Sequence, residues 1–191
     1  MKDINNMYYI SIPKTGSNTV HNLRGFIEFN HTKAITISKK VGKEKFSSRG
    51  SFCFIRNPFD LIKSWYSYHK YSNRVPKKEG PEFYPDSIDQ WILKDNCKTH
   101  WQTIKFKFNN PLWDLSNPLF QFNWISDNNK QHIVDYIYSF DNFDSILKEF
   151  YGRNIDISNK SDSSKIKLSR KSIIKIEELF SKDLELFFSI K

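Results

Sequence analysis

A short apolar and aromatic run, Met7–Ile12, is cut off by Pro13 and passes at once into the polar loop Lys14-Thr15-Gly16-Ser17-Asn18-Thr19. No other feature narrows the possible folds as much. The run is too brief to span a membrane, and its length, with two tyrosines and two isoleucines, predicts a buried strand. Beyond the loop, Val20, Leu23, Phe26 and Ile27 recur at helical spacing and predict a helix from about Asn18 to Phe29. The unit therefore reads strand, loop, helix.

A second unit of the same kind follows. Ser51–Ile55 reads as a strand running directly into Arg56-Asn57-Pro58, where Pro58 suits the first turn of a helix and Asn57 its cap. That helix should reach about Tyr71. The segment Thr32–Val41 fits helix or strand. Prolines, glycine and charges mark Ser72–Pro85 as a loop, and Asp86–Leu93 reads as a short capped helix. Between Asn96 and Trp124 aromatic and basic residues mix without a period. Ile133–Phe140 predicts a third strand, Asn142–Tyr151 a helix closed by Gly152, and Ser169–Phe187 one long terminal helix after the polar loop Asp156–Lys167.

Strands alternating with helices predict an α/β fold of three layers, α/β/α, around a mostly parallel sheet, with ligands gathering at the carboxyl ends of the strands. A length of 191 residues suits a single domain spanning residues 1–191, and 17 Phe, 9 Tyr and 5 Trp supply the core. Thirty Lys and Arg against 21 Asp and Glu leave a formal charge of +9, which favours anionic ligands without choosing among nucleic acid, lipid, glycan and nucleotide. Lys39, Lys40, Lys43 and Lys45 read as a solvated face. Two cysteines, Cys53 and Cys97, exclude a disulfide framework and fit a reducing, cytoplasmic setting. The first residues show neither a signal peptide nor a membrane span.

Both loops suit anions. At the first, backbone N–H groups opening a helix, the close approach allowed by Gly16, the charge of Lys14 and the hydroxyls of Ser17 and Thr19 make a phosphate cradle. It departs from the nucleotide-hydrolase pattern, because the lysine precedes the glycine and no second glycine opens the loop. At the second, Arg56 leaves a strand end where a guanidinium can grip a phosphate in bidentate fashion, with Ser64 two helical turns on. A helix cap beside a surface arginine explains that element equally well.

Taken together and in this order, Pro13-Lys14-Thr15-Gly16-Ser17 and Arg56-Asn57-Pro58-Phe59-Asp60 followed by Ser64 resemble the sulfotransferases that use 3′-phosphoadenosine 5′-phosphosulfate (PAPS), especially their carbohydrate and membrane-associated branch. Looser likeness continues through Gln121–Ile125, Asp135–Ile137, Asp141–Phe143 and Phe180–Phe187, with Asp141 standing where members usually carry glutamate. The resemblance implies a P-loop NTPase-like sulfotransferase fold. It implies that Lys14, Thr15, Gly16, Ser17, Asn18 and Thr19 grip the 5′-phosphosulfate, that Arg56 and Ser64 grip the 3′-phosphate, and that no metal takes part.

Sulfuryl transfer needs a base for the acceptor hydroxyl and cations for the leaving phosphate. Lys14 supplies charge, and His31, in Asn30-His31-Thr32, is the candidate base, similar to a Gly-His-x-Ser/Thr element of the family without its glycine. Glu28 and His21 are held in reserve. His69, His100 and His132 read as ordinary surface or packing residues. Trp101–Trp113 is a candidate acceptor wall for a sugar, and Lys160 and Ser161 candidates to close over the nucleotide. Two other readings stand beside this one: a phosphate-loop kinase for a small molecule, and a basic protein that binds nucleic acid without catalysis.

Overall fold

The structure, a computed structural model, describes residues 6–71, 85–95, 119–157, 163 and 165–190, without the side chains of His69 and Asp95. The Trp101–Trp113 stretch, Lys160 and Ser161, His100, and all of the Ser72–Pro85 loop but its last residue lie outside these. Four parallel strands form one sheet in the order β2-β1-β3-β4: β1 Tyr8–Tyr9, β2 Ile27–Glu28, β3 Ser51–Ile55 and β4 Tyr136–Ser139. Tyr8 pairs with Ile27 on one side and Ser51 on the other, and Cys53 pairs with Ile137. The helices are α1 Ser17–His21, α2 Ala34–Val41, α3 Lys43–Arg49, α4 Pro58–Tyr71, α5 Ile88–Asp95, α6 Phe122–Ile125, α7 Phe143–Tyr151, α8 Arg170–Leu179 and α9 Ser181–Ser189.

Strand alternation divides the core into two sides. Tyr8, Ile10, Cys53 and Ile55 pack with Ala34 and Ile37 of α2, Phe46 of α3, Trp124 of α6 and Phe187 of α9. Met7, Tyr9, Phe52 and Phe54 pack on the opposite face with Val20 of α1 and Phe143 and Leu147 of α7. A third cluster joins Leu61, Ile62 and Trp65 of α4 to Trp91 of α5 and Ile176 of α8. An α/β fold with helices on both faces of a parallel sheet is therefore present.

Several predicted elements have different bounds. The helix expected from Asn18 to Phe29 ends at His21, and its last part is strand β2. The reason is visible in the packing: Val20, Leu23 and Phe26 do share one core, but Ile27 joins the core on the other face, which is strand alternation after the break at Gly25 (φ 111°). Helical spacing in four residues was satisfied by a turn. Strand β1 is only Tyr8–Tyr9, although the Ile10 N–H still donates to the Phe52 carbonyl at 2.8 Å. The third strand is confined to Tyr136–Ser139, because Ile133 instead donates to the Ile125 carbonyl at 2.8 Å and Phe140 opens a 3₁₀ turn.

The terminal helix is two helices, α8 and α9, broken at Phe180 (φ −113°, ψ 23°). Thr32–Val41 resolves as α2. Helix α3 was not foreseen: Lys43, Lys45 and Arg49 are its solvated side, while Phe46 is buried. By contrast β3 and α4 fall where expected, with the Phe59 N–H donating to Asn57 Oδ1 at 3.0 Å as the cap.

From β1 the chain goes to β2 on one side, then crosses to β3 on the other. The carboxyl ends of β1 and β3 thus flank a topological switch point, where open parallel sheets form a crevice. Among the described residues, no helix is long and apolar enough to cross a membrane.

Candidate anion-binding site

Of the residues picked from the two loops, Lys14 and Arg56 come together beyond the carboxyl ends of β1 and β3. After β1 the chain turns through Lys14 (φ 66°) and Gly16 (φ 79°), both left-handed. Glycine is required at position 16 on two grounds. Its φ disfavours a side chain, and an added Cβ would lie 2.5 Å from Cζ of Phe143 and 2.9 Å from Cε2 of Phe140. Thr15 is buried and its hydroxyl donates to the Ile12 carbonyl at 2.8 Å, closing the turn from within. Ser17 and Thr19 are buried and Asn18 is exposed, and the Thr19 and Val20 amides are taken by the Gly16 carbonyl. Helix α1 has only five residues, so its dipole is small, and cations carry the site's charge.

Two cations meet there. Arg56 Nη1 donates to the Lys14 carbonyl at 3.4 Å. Each charge also sits on an aromatic face: Lys14 Nζ lies 4.2 Å from the centroid of the Tyr68 ring on α4, and the Arg56 guanidinium 5.1 Å from that of Phe140. Burial foremost, and the nearby Arg56 charge next, push the Lys14 ammonium down to about 8. Arg56 is also shifted down by burial, against the pull of Asp60 and Asp141. Both remain cationic at neutral pH.

Among the described residues no carboxylate lies within ion-pair distance of Lys14. Two adjacent, largely buried like charges, one with no acidic partner among the described residues, form a site that an anion would stabilise.

The main chain of Arg56 is held from elsewhere. Its N–H donates to Gln121 Oε1 and its carbonyl accepts from Gln121 Nε2, both at 2.7 Å. Asp183 of α9 accepts from the amides of Gln121 at 3.0 Å and Phe122 at 2.7 Å. Ser64 is buried on α4, where it interacts with another group.

The three candidate bases form one cluster. His31 follows β2, and two successive left-handed residues, Asn30 (φ 35°) and His31 (φ 46°), turn its ring toward the β1 loop. Its Nδ1–H donates to the Ser11 carbonyl at 2.8 Å. That bond sets the neutral tautomer with the lone pair on Nε2, and burial, against the Ser11 bond, lowers the ring's pKa from its ordinary value. The His21 ring stands edge-on to His31 at 5.9 Å, and His21 Nδ1 hydrogen-bonds to Oε2 of Glu28. Glu28 Oε1 is buried and has no hydrogen-bond partner among the described residues. His132 is exposed, in keeping with a surface role.

Tyr68, Phe140, Phe143, Gln121 and Asp183 were not picked as site residues from the sequence. One signal was present for Asp183: it falls on the apolar stripe Phe180, Leu186, Phe187, where a carboxylate must find buried donors. A separate cavity of about 250 Å³ lies between α6 and the α8–α9 break, lined by Phe120, Phe122 and Leu179 among others, away from the Lys14 loop.

Among the described residues the chain is thus an α/β protein with an all-parallel four-stranded sheet and two neighbouring cations, Lys14 and Arg56, at its switch point. No family model, no curated protein and no solved structure matches the chain.

Proposed function

We propose that the chain is a sulfotransferase, taking the sulfuryl group of PAPS to an acceptor hydroxyl, with a carbohydrate as the acceptor that the family likeness implies. The observation that carries the reading is the meeting of Lys14 and Arg56 in one crevice, as a ligand with anionic groups at two ends of one adenosine requires. The residues fit such a ligand: Lys14 and Arg56 are adjacent cations, and among the described residues no carboxylate lies within ion-pair distance of Lys14.

When bound, the donor supplies an activated sulfuryl group on a phosphate leaving group. Lys14 and the loop amides hold its 5′ end and meet the charge left on the phosphate, while Arg56 holds the 3′-phosphate. As the acceptor oxygen bonds to sulfur, its proton passes to Nε2 of His31, whose Nδ1–H stays on the Ser11 carbonyl. Glu28 with His21 is the second candidate for that proton. The reading calls for no metal and places the protein in the cytoplasm.

Binding and turnover test it separately. Thermal shift with 3′-phosphoadenosine 5′-phosphate should show stabilisation of roughly 2.7 kcal/mol at about a hundred times the dissociation constant. A shift with ATP and Mg²⁺ alone would favour a kinase, and one with single-stranded oligonucleotide alone a nucleic-acid-binding protein; either ends the proposal. His31→Ala should leave nucleotide binding intact and abolish transfer of radiolabelled sulfate from PAPS to glycan acceptors. Full transfer by that variant would move the base to the His21–Glu28 pair.

A further inference from the structure

At Arg56 the chain has just left the sheet. Ile55 is the last β3 residue in register with β4, opposite Ser139, and on the other side the β1 ladder ends with the Ile10 amide on the Phe52 carbonyl. A main chain that runs on past its neighbours loses both hydrogen-bond partners, and a buried one needs substitutes. Gln121 supplies them. Its carboxamide takes the N–H and the C=O of Arg56 together, at 2.7 Å each, as a neighbouring strand would. The Gln121 side chain has a single workable orientation, because reversing it would set donor against donor and acceptor against acceptor.

Gln121 is itself immobilised. It is fully buried, its own amide donates to Asp183 Oδ2, and its carbonyl accepts from the Trp124 amide at 2.9 Å. All four of its polar groups are therefore in use. The Asp183 carboxylate is shared with the Phe122 amide, so α9 fixes the start of α6, α6 fixes Gln121, and Gln121 fixes the backbone from which the Arg56 side chain departs. Backbone direction at that residue decides where the guanidinium lies relative to the Lys14 carbonyl.

We propose that Gln121, anchored by Asp183, is the positioning residue for Arg56 and so sets the protein's preference for a nucleotide bearing a 3′-phosphate. The inference rests on the sulfotransferase reading for its ligand, but the clamp itself does not. Truncation to an apolar side chain leaves the Arg56 charge present but lets its backbone turn, so selectivity falls while the Lys14 half of the site is untouched.

The test is calorimetric titration of the full chain with 3′-phosphoadenosine 5′-phosphate and with adenosine 5′-monophosphate, for wild type, Gln121→Leu, Gln121→Glu and Asp183→Asn. Loss of a hydrogen-bonded positioning contact predicts that the ratio of the two affinities drops about tenfold in Gln121→Leu. Gln121→Glu keeps the acceptor for the Arg56 amide and should fall between. Affinity for the monophosphate, which a general loss of structure would lower too, should stay within about twofold in all variants. An unchanged ratio in folded Gln121→Leu overturns the proposal; where that variant does not fold, an unchanged ratio in both Gln121→Glu and Asp183→Asn does so. A wild type that prefers neither nucleotide refutes the sulfotransferase reading instead. The clamp is then judged by hydrogen exchange at the Arg56 amide: faster exchange in Gln121→Glu keeps it, and unchanged exchange removes it.

Discussion

Lys14 and Arg56 end at the same crevice, yet the chain holds them by opposite means. Lys14 belongs to a loop shaped from within: a left-handed lysine, a left-handed glycine packed under Phe140 and Phe143, and a threonine closing the turn on the Ile12 carbonyl. Arg56 leaves a regular strand, and its backbone is held by a glutamine 65 residues further along the sequence. A local device tolerates no change of shape at its centre. A distant one tolerates change at the cation but depends on the packing of two other helices.

The largest effect that would sharpen this contrast lies at Gly16. Gly16→Ala meets both a disfavoured φ and ring atoms of Phe143 at 2.5 Å, and should destabilise the protein by roughly 3 kcal/mol, read by urea unfolding. A cost near zero would mean that the loop yields, and would break the contrast. Next comes Arg56→Ala, which removes charge-assisted bonds of about 2 kcal/mol and should cut affinity for 3′-phosphoadenosine 5′-phosphate by roughly thirtyfold, while unfolding changes little.

Titration separates the two halves further. The Lys14 ammonium, pushed down to about 8, discharges above that pH, so anion affinity should fall as pH rises through it. Lys14→Arg should hold affinity across that range in the same titration. For stability the sign is reversed: the buried charge is unfavourable in the fold, so this group favours the folded state at high pH and loses that contribution as pH falls through about 8.

Asp183 behaves differently. Burial raises its carboxyl to about 7 from the ordinary 3.8, against the two amides that lower it. Its contribution is present at acid pH and is lost as pH rises through about 7, so Asp183→Asn should flatten the decline of stability with pH over that interval, read by unfolding at a series of pH values. The smallest effect is at Tyr68. Tyr68→Leu removes a ring 4.2 Å from the Lys14 ammonium and should weaken anion binding by about 0.5–1 kcal/mol, with no change in the preference conferred by Arg56.

The same division decides what the sequence revealed. Ser51–Ile55 and Pro58–Tyr71 could be read closely because an uninterrupted apolar run, a proline at the first helical position and an asparagine cap are local signals. Lys14 and Gly16 were legible for the same reason. Strand β2 was not: four apolar residues at helical spacing conceal a break at Gly25, and only the sheet shows that Phe26 and Ile27 face opposite ways. The break at Phe180 was hidden too, since Ser169–Phe187 keeps its apolar period through the kink. Gln121, Phe140 and Tyr68 owe their places to contacts across the sequence, and no spacing announces those. The three candidate bases were named singly, and their gathering into one cluster follows from β2 lying beside β1, a pairing the missed strand concealed.

The turn at Asn30 and His31 carries a consequence for descent. Two consecutive backbone units of left-handed twist aim the imidazole, so that aim is inherited through permissible torsion angles more than through flanking side chains. At position 30 glycine, asparagine and aspartate enter this region at least cost. A β-branched newcomer there would misdirect the ring while leaving every atom of it in place.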